Sequence, residues 1–409
     1  MPRLFVWWER SLLCALIVSI AFLGIGRTTF FIRGASFSAW SISRTASFFW
    51  IIWKVVLALR FGWRAAGVSH ASCLVPTLIF LAVATASLLP DFHQAADYRY
   101  LFFAVMHCIM VVDLFAQGER PRLLLSLLGL LPGGLVIRGI VYDPSVLNFS
   151  LSNRFDYPLA HANAAGLLFA MSIPVALAVL ATQKNRLRVL ATVSLAAQFI
   201  GLLLTYSRGA WLGCGVSLFG VGLLDPRLKK SALALGLVGL AAFVAITPLR
   251  DRLLSLVHPR ADAAIEERLR FMESAWIVGV ENPVLGYGYG RDRLREGVKK
   301  EVDDAGEIGF IPHSHNMYTE LLAETGVLGL AAFLWMVGAS LVGLIRRARA
   351  ETSASSRILY FALAASLLAF LVGILGDAPF YNHDTRIFFF TLLPLTYLFL
   401  RREGTAPTP

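Results

Sequence analysis

The feature that most limits how this chain can fold is a succession of long apolar runs. They lie near residues 11–26, 45–60, 71–90, 98–116, 122–141 and 160–181, then near 188–205, 209–224, 231–247, 318–345, 356–376 and 386–400. A helix that crosses a bilayer takes about 20 largely apolar residues, so each run is roughly one span long. Hydrophobic residues make up 57% of the 409 and charged residues 15%, against about 25% charged in a soluble domain. So much apolar surface cannot be hidden from water in one core, and lipid is the expected solvent. The fold expected is an all-α polytopic membrane protein of about twelve transmembrane helices with one long loop on the non-cytoplasmic side. Lys54 makes the second run the weakest span; its side chain is expected to snorkel or to face protein. The stretch from Met1 to Gly26 has the outline of a signal peptide without a convincing cleavage site, and is read as a first transmembrane helix.

The net charge of +11 invites nucleic-acid binding, but its distribution follows the rule that cytoplasmic loops of membrane proteins are rich in Lys and Arg. With Arg3 and Arg10 inside, every even-numbered loop is inside as well. Those loops carry Arg60 and Arg64, Arg120 and Arg122, Lys184, Arg186 and Arg188, Arg227, Lys229 and Lys230, Arg346, Arg347 and Arg349, and finally Arg401 and Arg402. Short loops of the other set, such as Asp91–Tyr98 and Gly376–Arg386, are poorer in basic residues and carry acids. Both termini are therefore expected in the cytoplasm, and no nucleic acid is expected as a partner.

This topology divides the chain into 1–246 with nine spans, 247–317 as a long loop with short helices on the outer face, and 318–409 with three spans and a cytoplasmic tail. Ile265, Leu269, Met272, Ala275, Trp276 and Val280 recur at helical spacing within the loop. A long loop that keeps amphipathic structure is usually functional. No internal repeat is evident, which disfavours a transporter built from inverted repeats. Cys14, Cys73, Cys108 and Cys214 all sit in apolar stretches without CxxC or Cys/His spacing, and read as small core residues.

Three features meet on the outer face. The first is Thr205-Tyr206-Ser207-Arg208-Gly209, which joins two apolar spans with almost no loop. An arginine at the membrane boundary needs an acid or an anionic ligand, and its planar fork of donors suits phosphate oxygens. An interfacial anchor or structural ion pair is the alternative on spacing alone. The second is Glu266-Glu267-Arg268-Leu269-Arg270, followed by Asn282-Pro283-Val284-Leu285-Gly286-Tyr287-Gly288-Tyr289-Gly290. A helix presenting Arg268 or Arg270 should end before Pro283; the glycines then permit a tight turn, the preferred reading, or an anion-binding approach of backbone N–H groups. The third is His313-Ser314-His315-Asn316. Two histidines at this spacing could hold a metal, but no neighbouring Cys or carboxylate in the sequence completes a set. A histidine at a helix entrance on the wet face can act as a general base, or simply cap.

These residues carry a resemblance. The run Ser314-His315-Asn316-Met317-Tyr318-Thr319-Glu320-Leu321-Leu322-Ala323-Glu324-Thr325-Gly326-Val327-Leu328-Gly329 resembles the signature of the bacterial O-antigen ligase family, which also includes O-antigen polymerases. Thr205–Gly209 is similar to its Thr-x-Ser-Arg-Gly element, Arg268 to the arginine ahead of its Asn-Pro-hydrophobic-Leu-Gly run, and His161-Ala162-Asn163-Ala164-Ala165 to the Asn-containing start of a mid-chain helix. The likeness covers roughly 155–330. Met272 stands where the family often has tryptophan, with Trp276 one turn later as its expected replacement.

The resemblance implies a fold like that of the type C glycosyltransferases. It implies an inner-membrane enzyme that moves a glycan from undecaprenyl diphosphate to a sugar hydroxyl of lipid A–core, with no nucleotide sugar, cofactor or metal. His315 would be catalytic and Arg208 and Arg268 would bind the donor diphosphate, with Asn316, Ser207, His313, Asn163 and Arg270 as supporting candidates. Guanidiniums placed where charge grows on the leaving diphosphate would stabilise the transition state, and direct attack by the hydroxyl would invert the anomeric centre. An O-antigen or capsule polymerase and a protein O-oligosaccharyltransferase would share this chemistry. A lipid-linked glycan transporter or flippase would instead place charge along a path near the bilayer midplane.

Overall fold

The computed structural model describes residues 3–21, 30–32, 35–37, 39–62, 67, 74–90, 96–116, 120–157, 159, 161–255, 263–302 and 313–401. Cys73, Arg64 and Arg402 lie outside them. Each of the twelve apolar runs coincides with a helix: α1 (Arg3–Ala21), α2 (Ala39–Phe61), α3 (Val75–Ser87), α4 (Ala96–Phe115), α5 (Arg120–Tyr142), α6 (Ala162–Thr182), α7 (Asn185–Leu204), α8 (Arg208–Leu224), α9 (Pro226–Ala245), α13 (Met317–Ala350), α14 (Ala354–Gly373) and α15 (His383–Arg401). Between α9 and α13 lie α10 (Thr247–Leu254), α11 (Ala263–Glu281) and α12 (Arg291–Glu301). Eight helices among the described residues (α2, α4, α5, α6, α7, α9, α13 and α14) are long and apolar enough to cross a membrane. The chain is thus a polytopic membrane protein. One element departs from the all-helical expectation: Phe30–Ile32 pairs antiparallel with Ala35–Phe37, two short segments rich in strand-favouring aromatics.

In lipid, helices associate through close packing of small residues, and here that packing places the functional loops. Gly209 and Gly213 of α8 lie against Gly373 and Ala369 of α14 so closely that a Cβ on Gly213 would come 2.5 Å from the Ala369 carbonyl oxygen. The α6 residue Gly166 leaves equally little room beside Ser207 and Ala210. The start of α8 is thereby held against the end of α14. Helix α6 is the axis of the bundle, with 89% of its apolar window buried.

Lys54 faces protein rather than lipid. Its Nζ lies 2.8 Å from Asp113 Oδ2 on α4, and Trp50 Nε1 donates to the same carboxylate at 2.9 Å. The ammonium also sits over the rings of Trp50 and Trp53, so its charge is met on two sides. Cys108 and Cys214 are buried as expected, but Cys14 is exposed on the outside of the bundle, where an apolar thiol can meet lipid as easily as core.

The connections after α3, α5, α7, α9 and α14 meet at one end of the bundle. Tyr289 N donates to Ser87 Oγ (3.1 Å), and Arg291, at the start of α12, pairs with Asp97 at the start of α4 (3.2 Å). Arg154 Nε donates to the Thr205 carbonyl (2.8 Å), and Asn382 Nδ2 to that of Leu159 (3.3 Å). The long segment is folded down onto this end.

Candidate active site

Two chain turns build the site, and each has a non-glycine residue in the left-handed region. The first joins α7 to α8. Tyr206, fully buried, has φ +51°, an uncommon conformation for a bulky side chain. It is held by Tyr206 N donating to the Leu203 carbonyl at 3.2 Å and by Trp211 Nε1 donating to the Leu202 carbonyl at 2.9 Å. The turn leaves Arg208 at the first position of α8, where Nη1 donates to Ser255 Oγ at 2.6 Å.

More arginines converge here. Arg154 Nη2 donates to Asn163 Oδ1 at 2.7 Å, Arg252 of α10 reaches towards the Tyr206 carbonyl, and Arg268 of α11 faces the same space. Burial brings the Arg154 guanidinium down to about 10, helped by the like charges of Arg252, Arg268 and Arg208 and opposed by Asp377. Four guanidiniums thus share one field, a cluster that attracts anions.

The second turn leads into α13. Ser314 N donates to Glu320 Oε2 and Ser314 Oγ to the Asn316 carbonyl. Asn316 is the N-cap, its Oδ1 accepting from Tyr318 N (2.9 Å) and Thr319 N (3.2 Å) while its Nδ2 donates to the Leu375 carbonyl. Between them His315 has φ +57°. Its ring is nearly parallel to Phe271 of α11 (centroids 6.1 Å apart, 10°) and rests 4.0 Å from that of His313. Its backbone N donates to His313 Nδ1 (3.1 Å).

Met317 N donates to the Ile374 carbonyl (3.0 Å) and Tyr318 Oη to that of Leu371 (2.7 Å), which ties this turn to the end of α14. Asp377 consequently stands beside the histidine, its Oδ1 3.9 Å from a buried His315 Nδ1 that has no hydrogen-bond partner among the described residues. Burial is the main cause that lowers His315, to about 3, with His313 and Arg268 adding and Asp377 opposing. Burial lowers His313 too. Both rings are neutral at physiological pH.

A cavity of about 260 Å³ separates the two turns, lined among others by Asn163, Arg208, Arg252, Arg268, His315 and Asp377. Of the residues expected from sequence, Ser207 also lines it, while His313 packs against His315 and Asn316 acts as a helix cap. Arg270 is exposed and outside the lining. Met272 lines the cavity, whereas Trp276 points outward, 55% exposed, so Trp276 does not take the tryptophan position.

The glycine-rich run is a turn. Gly286, Gly288 and Gly290 all have positive φ, and the backbone N–H groups of Tyr287 and Gly288 donate to the carbonyls of Ala323 and Glu324 (2.8 and 3.0 Å). These carbonyls are released from the helical ladder by a kink at Gly326 (φ +64°, ψ −168°).

Arg154, Arg252 and Asp377 escaped the sequence reading. All three fall in odd-numbered loops of the expected topology, and searching that one set of loops for further charges would have found them. The carboxylate missing from the histidine pair in sequence is Asp377, so His313, His315 and Asp377 form a group whose ligand atoms lie within 4.8 Å of one another.

Comparison with known proteins finds matches to part of the chain. Residues 193–334 match the family model described as O-antigen ligase. An O-antigen ligase of Salmonella typhimurium (strain LT2) is 30% identical over 166 residues, covering 38% of this chain and 40% of the relative. The chain thus matches about two fifths of the length of this curated relative. The segment matched by the family model contains Arg208, Arg268 and His315.

Proposed function

We propose that this chain is a metal-independent, inverting glycosyltransferase of the bacterial inner membrane. It joins an undecaprenyl-diphosphate-linked O-antigen to a sugar hydroxyl of lipid A–core. The observation that carries the reading is a cavity lined by Arg208, Arg252 and Arg268, with Arg154 adding its charge to the same field, and by a neutral, carboxylate-neighboured histidine. In the proposed topology of twelve spans with both termini in the cytoplasm, this end of the bundle and the 247–317 loop face the periplasm, where the lipid-linked glycan would meet the lipid acceptor.

Arg208 and Arg268 bind the diphosphate, with Arg154 and Arg252 adding positive field. As the anomeric carbon–oxygen bond breaks, negative charge grows on the diphosphate, and preset guanidiniums favour that state over the ground state. Because His315 Nδ1 is buried beside Asp377, Nε2 faces the acceptor. A proton on Nδ1 directed at Asp377 would fix this tautomer, a contact that tightens when substrates bind. The acceptor hydroxyl gives its proton to Nε2 while its oxygen bonds to the anomeric carbon, and undecaprenyl diphosphate departs. One displacement inverts the anomer.

The test is a deletion strain examined by lipopolysaccharide gel. Loss of all long-chain O-antigen with accumulation of lipid-linked polymer supports the ligase. Core carrying a single repeat identifies a polymerase, and unchanged lipopolysaccharide overturns both. Arg208→Ala and His315→Ala should each reproduce the deletion while remaining in the membrane; a fully active variant overturns the role given to that residue.

A further inference from the structure

We propose that His313, His315 and Asp377 form a transition-metal site whose occupation switches glycan transfer off. Two imidazoles and one carboxylate are the donor set of many three-ligand zinc sites. Their ligand atoms fall within 4.8 Å of one another, and tetrahedral binding at about 2.0–2.1 Å from the metal separates ligand atoms by about 3.3 Å. From the 3.9 Å between His315 Nδ1 and Asp377 Oδ1, side-chain rotation closes the remainder. Two further observations point to a ligand. His315 Nδ1 is buried without a hydrogen-bond partner among the described residues. The His315 turn is clamped at both ends by Ser314 and Asn316, so the donors are preset.

The ligand class follows from the donors. Imidazole with carboxylate suits Zn²⁺, Cu²⁺ and Ni²⁺, whereas Mg²⁺ and Ca²⁺ want oxygen shells. The arginines across the cavity, Arg268 foremost, repel a cation and keep affinity below that of a structural site. This charge balance marks the site as one that fills when metal is abundant. Occupation takes either the lone pair of His315 or the carboxylate that orients its ring. The inhibitory part of the proposal therefore rests on His315 being the base; the binding part does not.

The protein, purified in detergent without a polyhistidine tag, is titrated with Co²⁺ followed by its visible absorption, and with Zn²⁺ by equilibrium dialysis. One ion per chain is expected. Binding should weaken at least tenfold in Asp377→Asn and in His313→Ala, and millimolar Mg²⁺ or Ca²⁺ should not displace the ion. Zn²⁺ should raise the Tm of the wild type and not of these variants. Arg268→Ala, which keeps all three ligands and removes a repelling charge, should bind more tightly, and this guards against loss of binding through misfolding. No saturable binding, or binding indifferent to all three substitutions, overturns the site even if His315→Ala abolishes transfer. Zn²⁺ should inhibit transfer over the range in which it fills the site; binding that leaves transfer untouched overturns the inhibitory role and His315 as base together.

Discussion

Replacing Gly326 by alanine should disable the site from a distance. Gly326 has φ +64° and ψ −168°, a region nearly reserved for glycine, and entering it with a Cβ costs about 1–3 kcal/mol. That Cβ would come 2.3 Å from the Val284 carbonyl oxygen and 2.6 Å from Leu285 N, an overpacking of about 1–3 kcal/mol more. The sum, about 2–6 kcal/mol, can be relieved only by opening the clasp in which Val327 N donates to the Pro283 carbonyl (2.8 Å) and Tyr287 N to that of Ala323 (2.8 Å). The clasp joins the end of α11 to the beginning of α13, so opening it moves Arg268 relative to His315. A misplacement of about 1 Å can reduce a rate about 100-fold. Thermal unfolding in detergent and transfer of lipid-linked glycan to purified core acceptor would read the two effects, with Gly338→Ala as the control. Gly338 lies in the same helix with no atom within 4 Å of an added Cβ, and there alanine should leave transfer intact. A Gly326→Ala protein with wild-type Tm and transfer would refute this account of the clasp.

The remaining predictions follow from charge. Arg208→Lys keeps the charge but loses the forked donors; transfer should fall at least tenfold with little change in Tm, and a wild-type rate would mean that only charge matters at that position. Since burial and neighbouring positive charge depress His315, transfer should not decline with a midpoint near 6.5 as pH falls from 8 to 5.5; a decline there in kcat/KM would contradict a neutral base. The corresponding stability term is fully present above the unfolded histidine value of about 6.5 and is lost progressively as pH falls towards the folded value of about 3, so Tm should drop on acidification, less steeply in His315→Ala. Breaking the Lys54–Asp113 pair with Asp113→Leu should cost about 3–5 kcal/mol, and the double variant with Lys54→Met should recover much of it. Tm measurements on the three proteins would decide, equal loss in the single and double variants being the contrary result.

Hydropathy alone located the helices that carry the apolar runs, eight of them among the described residues long and apolar enough to cross a membrane, because a spanning segment leaves a run as long as the bilayer is thick. It was blind to how they pack, which depends on small residues such as Gly209 and Gly213 whose partners, Gly373 and Ala369, are remote in sequence. The same holds for the site. Arg208, Arg268 and His315 were readable because each sits in a compact motif, whereas Asp377 and Arg154 stand in loops without local signature and acquire meaning only when α14 and α6 bring them in. Arg270 shows the converse error. It shares a run with Arg268, yet two positions along a helix turn a side chain about 200°, and it faces away. Trp276 failed differently: one turn from Met272 places it on a similar face, but the lining ends where α11 leaves the cavity.

Tyr206 and His315 hold left-handed backbone without the glycine that would make it comfortable. For anyone breeding a hardier form of this protein, the second of the two is a trap. Selection on heat resistance alone will favour His315→Asn, which releases strain of about 1–3 kcal/mol and removes the imidazole, whereas the fully buried Tyr206 ring holds its corner because truncating it would cost more, about 3–5 kcal/mol. A library intended to yield sturdy and working variants should therefore freeze 205–208 and 313–316 and spend its diversity elsewhere, for instance on the outward positions of α9, where only 17% of the apolar window is buried.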